Sequence, residues 1–175
     1  MTITIFKMDE ISIHQFNQFH RKFTVSSKIV LDMLNGKLTW AIMPVEPYGK
    51  EIPIEDVDPS GFLNSEDKIV FLAEVDGALA GQIKLITWWN GYAYIDDLIV
   101  NPQFRGQGVG KALMEAAIQW SRERRFPGIM LETQDDNVAA CKLYQSCGFV
   151  LGGFDQYTLK NFKPNETALF WYLIL

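Results

Sequence analysis

The alternation of apolar and polar positions predicts strands in the middle of the chain. Three runs of strand-like composition follow one another, and turn dipeptides rich in Asn, Asp and Gly separate them. Because tight turns of this kind join antiparallel neighbours, we expect an antiparallel meander. The runs are KIVFLAEV (68–75), ALAGQIKLITWW (78–89) and YAYIDDLIV (92–100), with turns at Asp76-Gly77 and Asn90-Gly91.

The patterns before the meander are less regular. Apolar positions alternate at the very start of the chain and then adopt a spacing nearer to that of a helix. Two further apolar runs flank an Asn-Gly dipeptide, which suits a type I′ hairpin turn. The predicted elements are a short edge strand in 1–8 (Ile3, Ile5), a helix in 10–23, a hairpin in 26–45 around Asn35-Gly36, and the main loop in 46–67.

After the meander, strands and helices alternate. We expect a helix in 108–124, a buried strand in 128–134, a helix in 137–148 that ends at Gly148, and strands in 149–159 and 167–175. Strands separated by helices require crossover connections within one sheet. The pattern therefore predicts a single α/β (α+β) domain over residues 1–175, with a mixed, mostly antiparallel sheet and helices on both faces.

Composition and charge narrow the functional class. The chain has 175 residues, of which 48% are apolar and 21% charged, which is enough apolar sequence for a sizeable core. Its formal charge of −5 argues against a nucleic-acid partner and mildly favours a cationic substrate. Two cysteines, Cys141 and Cys147, exclude a disulfide framework and a four-cysteine zinc site. With no visible secretory signal or membrane-spanning run, we expect a cytoplasmic protein with free thiols that does not bind membranes.

The most informative segment joins the strand 92–100 to the helix 108–124. Gly106, Gly108 and Gly110 remove side chains where the backbone must come close to a partner. The helix that follows offers unpaired N–H groups and the positive end of its dipole, a combination that binds phosphate. Arg105 and Lys111 add positive charge on either side.

Two common phosphate loops do not match this segment. A Walker loop needs Ser or Thr after Gly-Lys, and here Ala112 follows Lys111. The glycine spacing also differs from that of a dinucleotide-binding fingerprint. The pattern Arg105-x-x-Gly108-x-Gly110 instead resembles the acetyl-CoA pyrophosphate loop of the GNAT superfamily of N-acetyltransferases.

Further matches lie downstream of the loop. The stretch from Asn137 to Phe149 fits Asn-x-x-Ala-x-x-Leu-Tyr-x-x-x-Gly-Phe, which resembles the second cofactor-binding half of GNAT enzymes. A narrower resemblance, from about residue 66 to the end, is to streptothricin acetyltransferases, which acetylate an amino group of a β-lysine moiety. It rests on Trp89-Asn90-Gly91-Tyr92, Ile95-Asp96-Asp97, the run Leu131 to Asn137 with Ala140-Cys141, and the tail Asn165-Glu166-Thr167-Ala168 with Phe170-Trp171-Tyr172. The acidic residues of 51–67 are more dilute than the dense acidic run common in that family, which leaves the exact substrate open.

The resemblance implies a GNAT-like domain with acetyl-CoA as cosubstrate and no metal. Leu98 and Val100 would bind the pantetheine arm through their main chain. Asn137 would bind near the cofactor's sulfur, although Asn is also a favoured helix N-cap. The full predicted cofactor set is Leu98, Val100, Arg105, Gly106, Gln107, Gly108, Val109, Gly110, Lys111, Asn137 and Tyr144.

Three residues are candidates for proton transfer. Tyr144 is the candidate acid for the leaving thiolate, because a phenol and a thiol have neighbouring pKa values. Glu132 interrupts an apolar strand and is the first candidate for the base, unless it is a sheet-edge residue on the solvent face. The resemblance to GNAT enzymes makes Asp96, acting directly or through water, the rival. Strict alternation places Asp96 and Asp97 on opposite faces of their strand, and Asp97 is structural, substrate-binding or a solvated surface carboxylate. Asp96, Asp97 and Glu132 form the predicted substrate-binding set.

The resemblance implies acetyl transfer to a primary amine of a small cationic molecule, with the β-lysine moiety of streptothricin as the acceptor, and the acidic net charge supports this. The alternatives left open are a polyamine, an aminoglycoside-like cation, a protein N-terminus, or a CoA-binding module without catalysis. The apolar last strand could also pair across a homodimer.

Overall fold

The computed structural model describes all 175 residues, which fold into two compact units. The first comprises 1–21, 52–129 and 174–175, and the second comprises 22–51 and 130–173. No helix has the length and apolar character that crossing a membrane requires. In chain order the elements are β1 (Ile3–Lys7), β2 (Lys22–Leu34), β3 (Lys37–Glu51), β4 (Lys68–Val75), β5 (Ala78–Thr87), β6 (Ala93–Val100), α1 (Val109–Glu123), β7 (Gly128–Gln134), α2 (Val138–Ser146), β8 (Val150–Asp155) and β9 (Ala168–Ile174).

The first unit is built on the predicted meander. Strands β1, β4, β5 and β6 lie side by side in that order, and every neighbouring pair is antiparallel. The amphipathic helix α1 packs against all four strands through Leu113, Met114 and Ala117, which are fully buried. A second apolar cluster covers the opposite face and contains Met8, Phe16, Phe19, Phe62, Val70, Leu72 and Ile99.

The prediction of a helix in residues 10–23 is wrong. The segment forms one 3₁₀ turn at Ile13–Gln15, and β2 already begins at Lys22. Asn17 has a left-handed φ of 59°, which a continuing α-helix cannot accommodate. Phe16 and Phe19 are nevertheless buried, so the apolar spacing reflects their contacts with the sheet and not a helical backbone.

The prediction that Asp96 and Asp97 lie on opposite faces of their strand is wrong, because β6 contains a bulge. Lys84 of β5 pairs with Asp97, whereas the next residue of β5, Leu85, pairs with Ile95, so Asp96 is the extra residue. A bulge re-aims side chains, and here both carboxylates bind side chains of β5 that share one face, Gln82 and Lys84. The strict two-residue period could not anticipate this.

The second unit contains the hairpin β2–β3 and the strands β7, β9 and β8. Asn35 and Gly36 both have positive φ, 51° and 75°, which confirms the predicted hairpin turn. Strand β3 continues to Glu51, so the predicted loop of residues 46–67 begins only at Ile52. Strand β9 lies between β7 and β8.

Helix α2 confirms the second predicted helix, with Asn137 as its N-cap and Gly148 at φ 89° after its end. A buried aromatic group lies around it in the second unit. Trp171 contacts Trp40 and Tyr144 with ring centroids 6.0 Å and 6.2 Å apart.

Candidate active site

The loop before α1 has the geometry of an anion-binding site. Gly106 and Gly108 adopt left-handed φ values of 72° and 92°, which favour glycine. Gly108 is the N-cap of α1, and no side chain caps this end of the helix. The first N–H groups of α1 therefore lack partners within the helix, and its positive dipole end remains available to an anion.

Two cationic residues flank this loop. Arg105 donates from Nε to the carbonyl of Val100 over 2.9 Å. Partial burial lowers the pKa of Arg105, but a guanidinium still stays charged at neutral pH. Lys111 is exposed in the first turn of α1, and a Cβ on Gly106 would meet no heavy atom within 4 Å. This open, cationic loop fits the pyrophosphate of acetyl-CoA.

The other predicted cofactor residues of the first unit lie close by in the chain. Leu98 and Val100 lie at the C-terminal end of β6, just before the loop. Gln107 donates to a main-chain carbonyl within the loop over 2.7 Å, whereas Val109 is buried and Gly110 stands in the first turn of α1.

Asp97 is held by side chains of its own unit. The Arg21 guanidinium, 6% exposed, donates from Nη1 and Nη2 to the two Asp97 oxygens, each over 2.9 Å. Gln82 donates to Asp97 Oδ2 over 2.7 Å and also to Asn17. A bidentate pair with an added hydrogen bond satisfies a carboxylate well, which favours the structural interpretation of Asp97.

Asp96 is also paired with a cation. Its Oδ2 lies 2.6 Å from Nζ of Lys84, whose side chain is 4% exposed, and Glu55 Oε2 lies 3.2 Å from the same Nζ. Burial alone would lower the pKa of Lys84, but the hydrogen bond and charge of Asp96, followed by those of Glu55, raise it. A small cavity of about 80 Å³ lies beside these charged groups in the first unit. Lys84 neutralises much of the negative charge that a cationic substrate would meet at Asp96.

Glu132 lacks such a partner. It lies on β7 between the buried Leu131 and Thr133, and its carboxylate makes no hydrogen bond or ion pair. Burial raises the pKa of Glu132, the charge of Asp155 adds to this, and the charge of Lys163 opposes it. A carboxylate with a raised pKa and no ion-pair partner is suited to accept a proton.

The second unit also carries Asn137 and Tyr144. Asn137 caps α2, where its Oδ1 accepts from Ala140 N over 3.4 Å. Tyr144 is buried, and its ring packs between Phe149 and Trp171 at centroid distances of 6.1 Å and 6.2 Å. This packing restricts the orientation of the phenol ring.

Sequence reasoning missed the residues that bind the carboxylates. Arg21, Gln82 and Lys84 were not among the candidates, and neither were Tyr48 and Lys50 in the second unit. A signal for two of them was present, because Gln82 and Lys84 interrupt an otherwise apolar strand at alternate positions. Polar residues on the buried face of a strand indicate that partners face them.

Neither cysteine is disulfide-bonded, and no group of three or more His, Cys, Asp or Glu side chains could hold a metal ion. Cys141 is buried, and burial raises the pKa of its thiol to about 12. A thiol that is almost fully protonated at neutral pH is a poor nucleophile, which favours direct acetyl transfer over an acetyl-cysteine route.

Comparison with known proteins finds relatives that match most of the chain. The profile of the acetyltransferase (GNAT) family matches residues 37–149. Streptothricin acetyltransferase A of Bacillus subtilis is 38% identical over 170 residues, which cover 96% of this chain and 98% of that protein. A streptothricin acetyltransferase of Escherichia coli is 44% identical over 131 residues, or 73% of this chain and 71% of that one.

Solved structures extend the likeness to the whole fold. A protein of Bacillus anthracis assigned as a streptothricin acetyltransferase, in complex with acetyl coenzyme A, superimposes with a TM-score of 0.92 at 36% identity, covering 100% of this chain and 99% of that one. Nourseothricin acetyltransferase gives a TM-score of 0.81 at 26% identity, with 99% of each chain covered.

These matches confirm the predicted α+β class and the resemblance on which the cosubstrate prediction rests. They cover the glycine loop, the Asn137–Phe149 signature and nearly all the remaining chain. The chain therefore belongs to the acetyltransferase (GNAT) family and is an acetyl-CoA-dependent acyltransferase.

Proposed function

We propose that the chain acetylates a primary amine of a small cationic molecule, the β-lysine amine of streptothricin. The observation that carries this proposal is the 38% identity to streptothricin acetyltransferase A over 96% of the chain. The net charge of −5 supports it further, because a negative protein attracts a cationic acceptor.

Glu132 is the base in this proposal. A β-lysine ammonium has to lose a proton before its nitrogen can attack the thioester carbonyl. The Glu132 carboxylate has a raised pKa and no paired cation, whereas Asp96 lies 2.6 Å from the Lys84 ammonium. The Lys84 ammonium already occupies the Asp96 carboxylate, so in this proposal the proton goes to Glu132.

Tyr144 is the acid. When the amine nitrogen forms its bond to the acetyl carbon, the bond to sulfur breaks and the thiolate needs a proton. The phenol can supply that proton, and the packing of the Tyr144 ring between Phe149 and Trp171 supports a fixed direction for it.

The cosubstrate is held by residues of both sequence motifs. The N–H groups of the loop Gly106–Lys111, together with Arg105 and Lys111, bind the phosphates. The main chain of Leu98 and Val100 binds the pantetheine arm as an added strand would, and Asn137 binds near the sulfur.

We place the reaction in the cytoplasm, where the two free thiols stay reduced. Assembly into a homodimer stays a prediction.

The experiment offers the purified chain acetyl-CoA together with streptothricin, a polyamine or an aminoglycoside, and follows the products by mass spectrometry. We expect one acetyl group on the β-lysine moiety of streptothricin. Glu132→Gln should lower kcat/KM for that acceptor by roughly a hundredfold at neutral pH, the usual contribution of a general base. Clear turnover of a polyamine beside untouched streptothricin would contradict the proposed substrate.

A further inference from the structure

A buried network of charges and hydrogen bonds ties the β2–β3 hairpin to the turn between β7 and α2. Lys50 of β3, with a side chain 7% exposed, donates from Nζ to Asp136 Oδ1 and lies 2.9 Å from Glu166 Oε1. The hydroxyl of Tyr48 donates to Asp136 Oδ2 over 2.8 Å. We call Tyr48, Lys50, Asp136 and Glu166 the hairpin anchor.

Within the hairpin anchor, the Asp136 carboxylate depends on two donors, the Tyr48 hydroxyl and Lys50 Nζ. Its side chain is 0% exposed, so water cannot replace a lost partner. Burial raises the pKa of Tyr48, and the hydrogen bond from Tyr48 to Asp136 raises it further, so the hydroxyl keeps its proton and donates. Removing one partner of a buried charge is costly because the remaining charge stays desolvated and unpaired.

The residue before Asp136 is fixed from two sides as well. The carbonyl of Asp135 accepts from the N–H of Ile29 in β2 over 2.7 Å. The N–H of Asp135 donates to the carbonyl of Thr167 over 3.0 Å, and Thr167 N–H donates back to Asp135 Oδ1 over 3.1 Å. The conformation of the turn is therefore set by the hairpin and by the segment that leads into β9.

This turn leads directly into α2. Asn137 follows Asp136 in the chain and caps the helix, and Tyr144 lies seven residues further on, about two turns along α2. A shift of Asp136 would therefore move the capping residue and change the angle at which α2 starts.

We propose that Lys50 and Tyr48 are positioning residues for acetyl transfer. By fixing Asp136 they fix the start of α2, and with it the orientation of Asn137 and Tyr144. The inference rests on the roles proposed for those two residues. Misplacement of a reacting group by about 1 Å can lower a rate by roughly a hundredfold, so residues that only position a reacting group can control kcat.

The first experiment compares Lys50→Met and Tyr48→Phe with the wild type in steady-state kinetics. We expect Lys50→Met to lower kcat between about ten- and a hundredfold and Tyr48→Phe to lower it less, with smaller changes in KM for the amine. Lys50→Arg keeps the positive charge and should recover part of the lost kcat. Lys22→Met is the matched control, since Lys22 forms an exposed ion pair with Glu51 at 3.6 Å on the same hairpin, and we expect it to leave kcat unchanged.

The second experiment repeats Lys50→Met in a Tyr144→Phe background. If Lys50 acts through the acid, its loss should lower kcat less than twofold once the phenol is gone. A general loss of structure would instead multiply with the Tyr144→Phe effect. If Tyr144→Phe leaves kcat unchanged, the proposed acid is wrong. The double-mutant comparison is then repeated with Asn137→Ala in place of Tyr144→Phe.

The outcomes separate this inference from the proposed function. All ratios are measured on an amine that the wild type acetylates, so a failure of streptothricin as substrate contradicts the proposed function alone. A folded Lys50→Met with kcat within twofold of the wild type, or a fully multiplicative double variant, would overturn the positioning role. If Lys50→Met does not fold, the kcat of Tyr48→Phe is the test. An unchanged kcat in that variant overturns the positioning role.

Discussion

At the scale of single residues, the three predicted acidic residues differ in their partners. Asp97 is bound by Arg21, and Asp96 is paired with Lys84, whereas Glu132 has neither an ion pair nor a hydrogen bond. Ionised Glu132 therefore costs folding free energy that a neutral side chain would not. Residues arranged for catalysis often carry such a cost.

We expect Glu132→Gln to stabilise the fold at neutral pH while it lowers activity. The folded-state pKa of Glu132 lies above its ordinary value of 4.5, so the folded protein binds the proton more tightly than the unfolded chain does. The stability of the wild type consequently falls as pH rises through the interval between these two pKa values. Thermal denaturation should give the variant the higher Tm at pH of about 7 and nearly equal Tm values near pH of about 4, below the unfolded-state value.

Glu115→Gln serves as the control for this comparison, because Glu115 is exposed on α1. Its Tm should follow that of the wild type at both pH values. A lower Tm for Glu132→Gln at neutral pH would mean that the ionised carboxylate is stabilised in the folded protein, contrary to its environment on β7.

At the scale of elements, the start of α1 depends on one backbone conformation. Gly108 has φ of 92°, while a Cβ there would lie 3.7 Å from Ile3 Cδ1, which is ordinary contact. Glycine is therefore required at this position because of the left-handed backbone conformation, and not because a side chain would be crowded.

Gly108→Ala should lower the free energy of unfolding by roughly 1–2 kcal/mol, the cost of a left-handed conformation for a residue with a Cβ. It should also weaken acetyl-CoA binding in calorimetry, because the strained loop turns N–H groups away from the phosphates. Gly153→Ala is the matched control, since Gly153 lacks a positive φ and a Cβ there meets nothing within 4 Å. Equal stability of the two variants would contradict the conformational argument.

The elements that the sequence predicted well are those with local causes. The Asn35-Gly36 turn, α1 and the capped helix α2 each follow from turn residues, periodicity or caps within a short stretch. The segment 10–23 could not be predicted in this way, because its apolar residues are positioned by a sheet formed much later in the chain.

The candidate site divides along the same line. The glycine loop could be predicted as the start of a helix from its local sequence, and Asn137 and Tyr144 were indicated by the resemblance to GNAT enzymes. The pairing of Asp97 with Arg21 spans 76 positions, and that of Lys50 with Asp136 spans 86. Such distant ion pairs are set by tertiary structure and leave no spacing pattern in the sequence.

At the scale of the whole molecule, charge is distributed unevenly. The chain carries a net charge of −5, yet Arg105 and Lys111 concentrate positive charge at the loop that we propose binds the acetyl-CoA phosphates. Acetyl-CoA is a polyanion, whereas the proposed acceptor is a cation, so the two need opposite local fields on one protein. Long-range attraction by the net charge acts only on the acceptor.

We expect kcat/KM for streptothricin to fall several-fold as sodium chloride is raised from about 0.02 M to 0.5 M. Over that range the screening length shortens from more than about 10 Å to a few ångströms, so the net charge of −5 no longer draws the cation toward the protein. The fall should appear in kcat/KM more than in kcat, because screening affects encounter and binding and leaves proton transfer in the bound complex unchanged. Sodium sulfate at equal ionic strength should give the same curve, and an unchanged Tm over the range excludes unfolding as the cause. A kcat/KM independent of salt would show that the acceptor is recognised by short-range contacts alone.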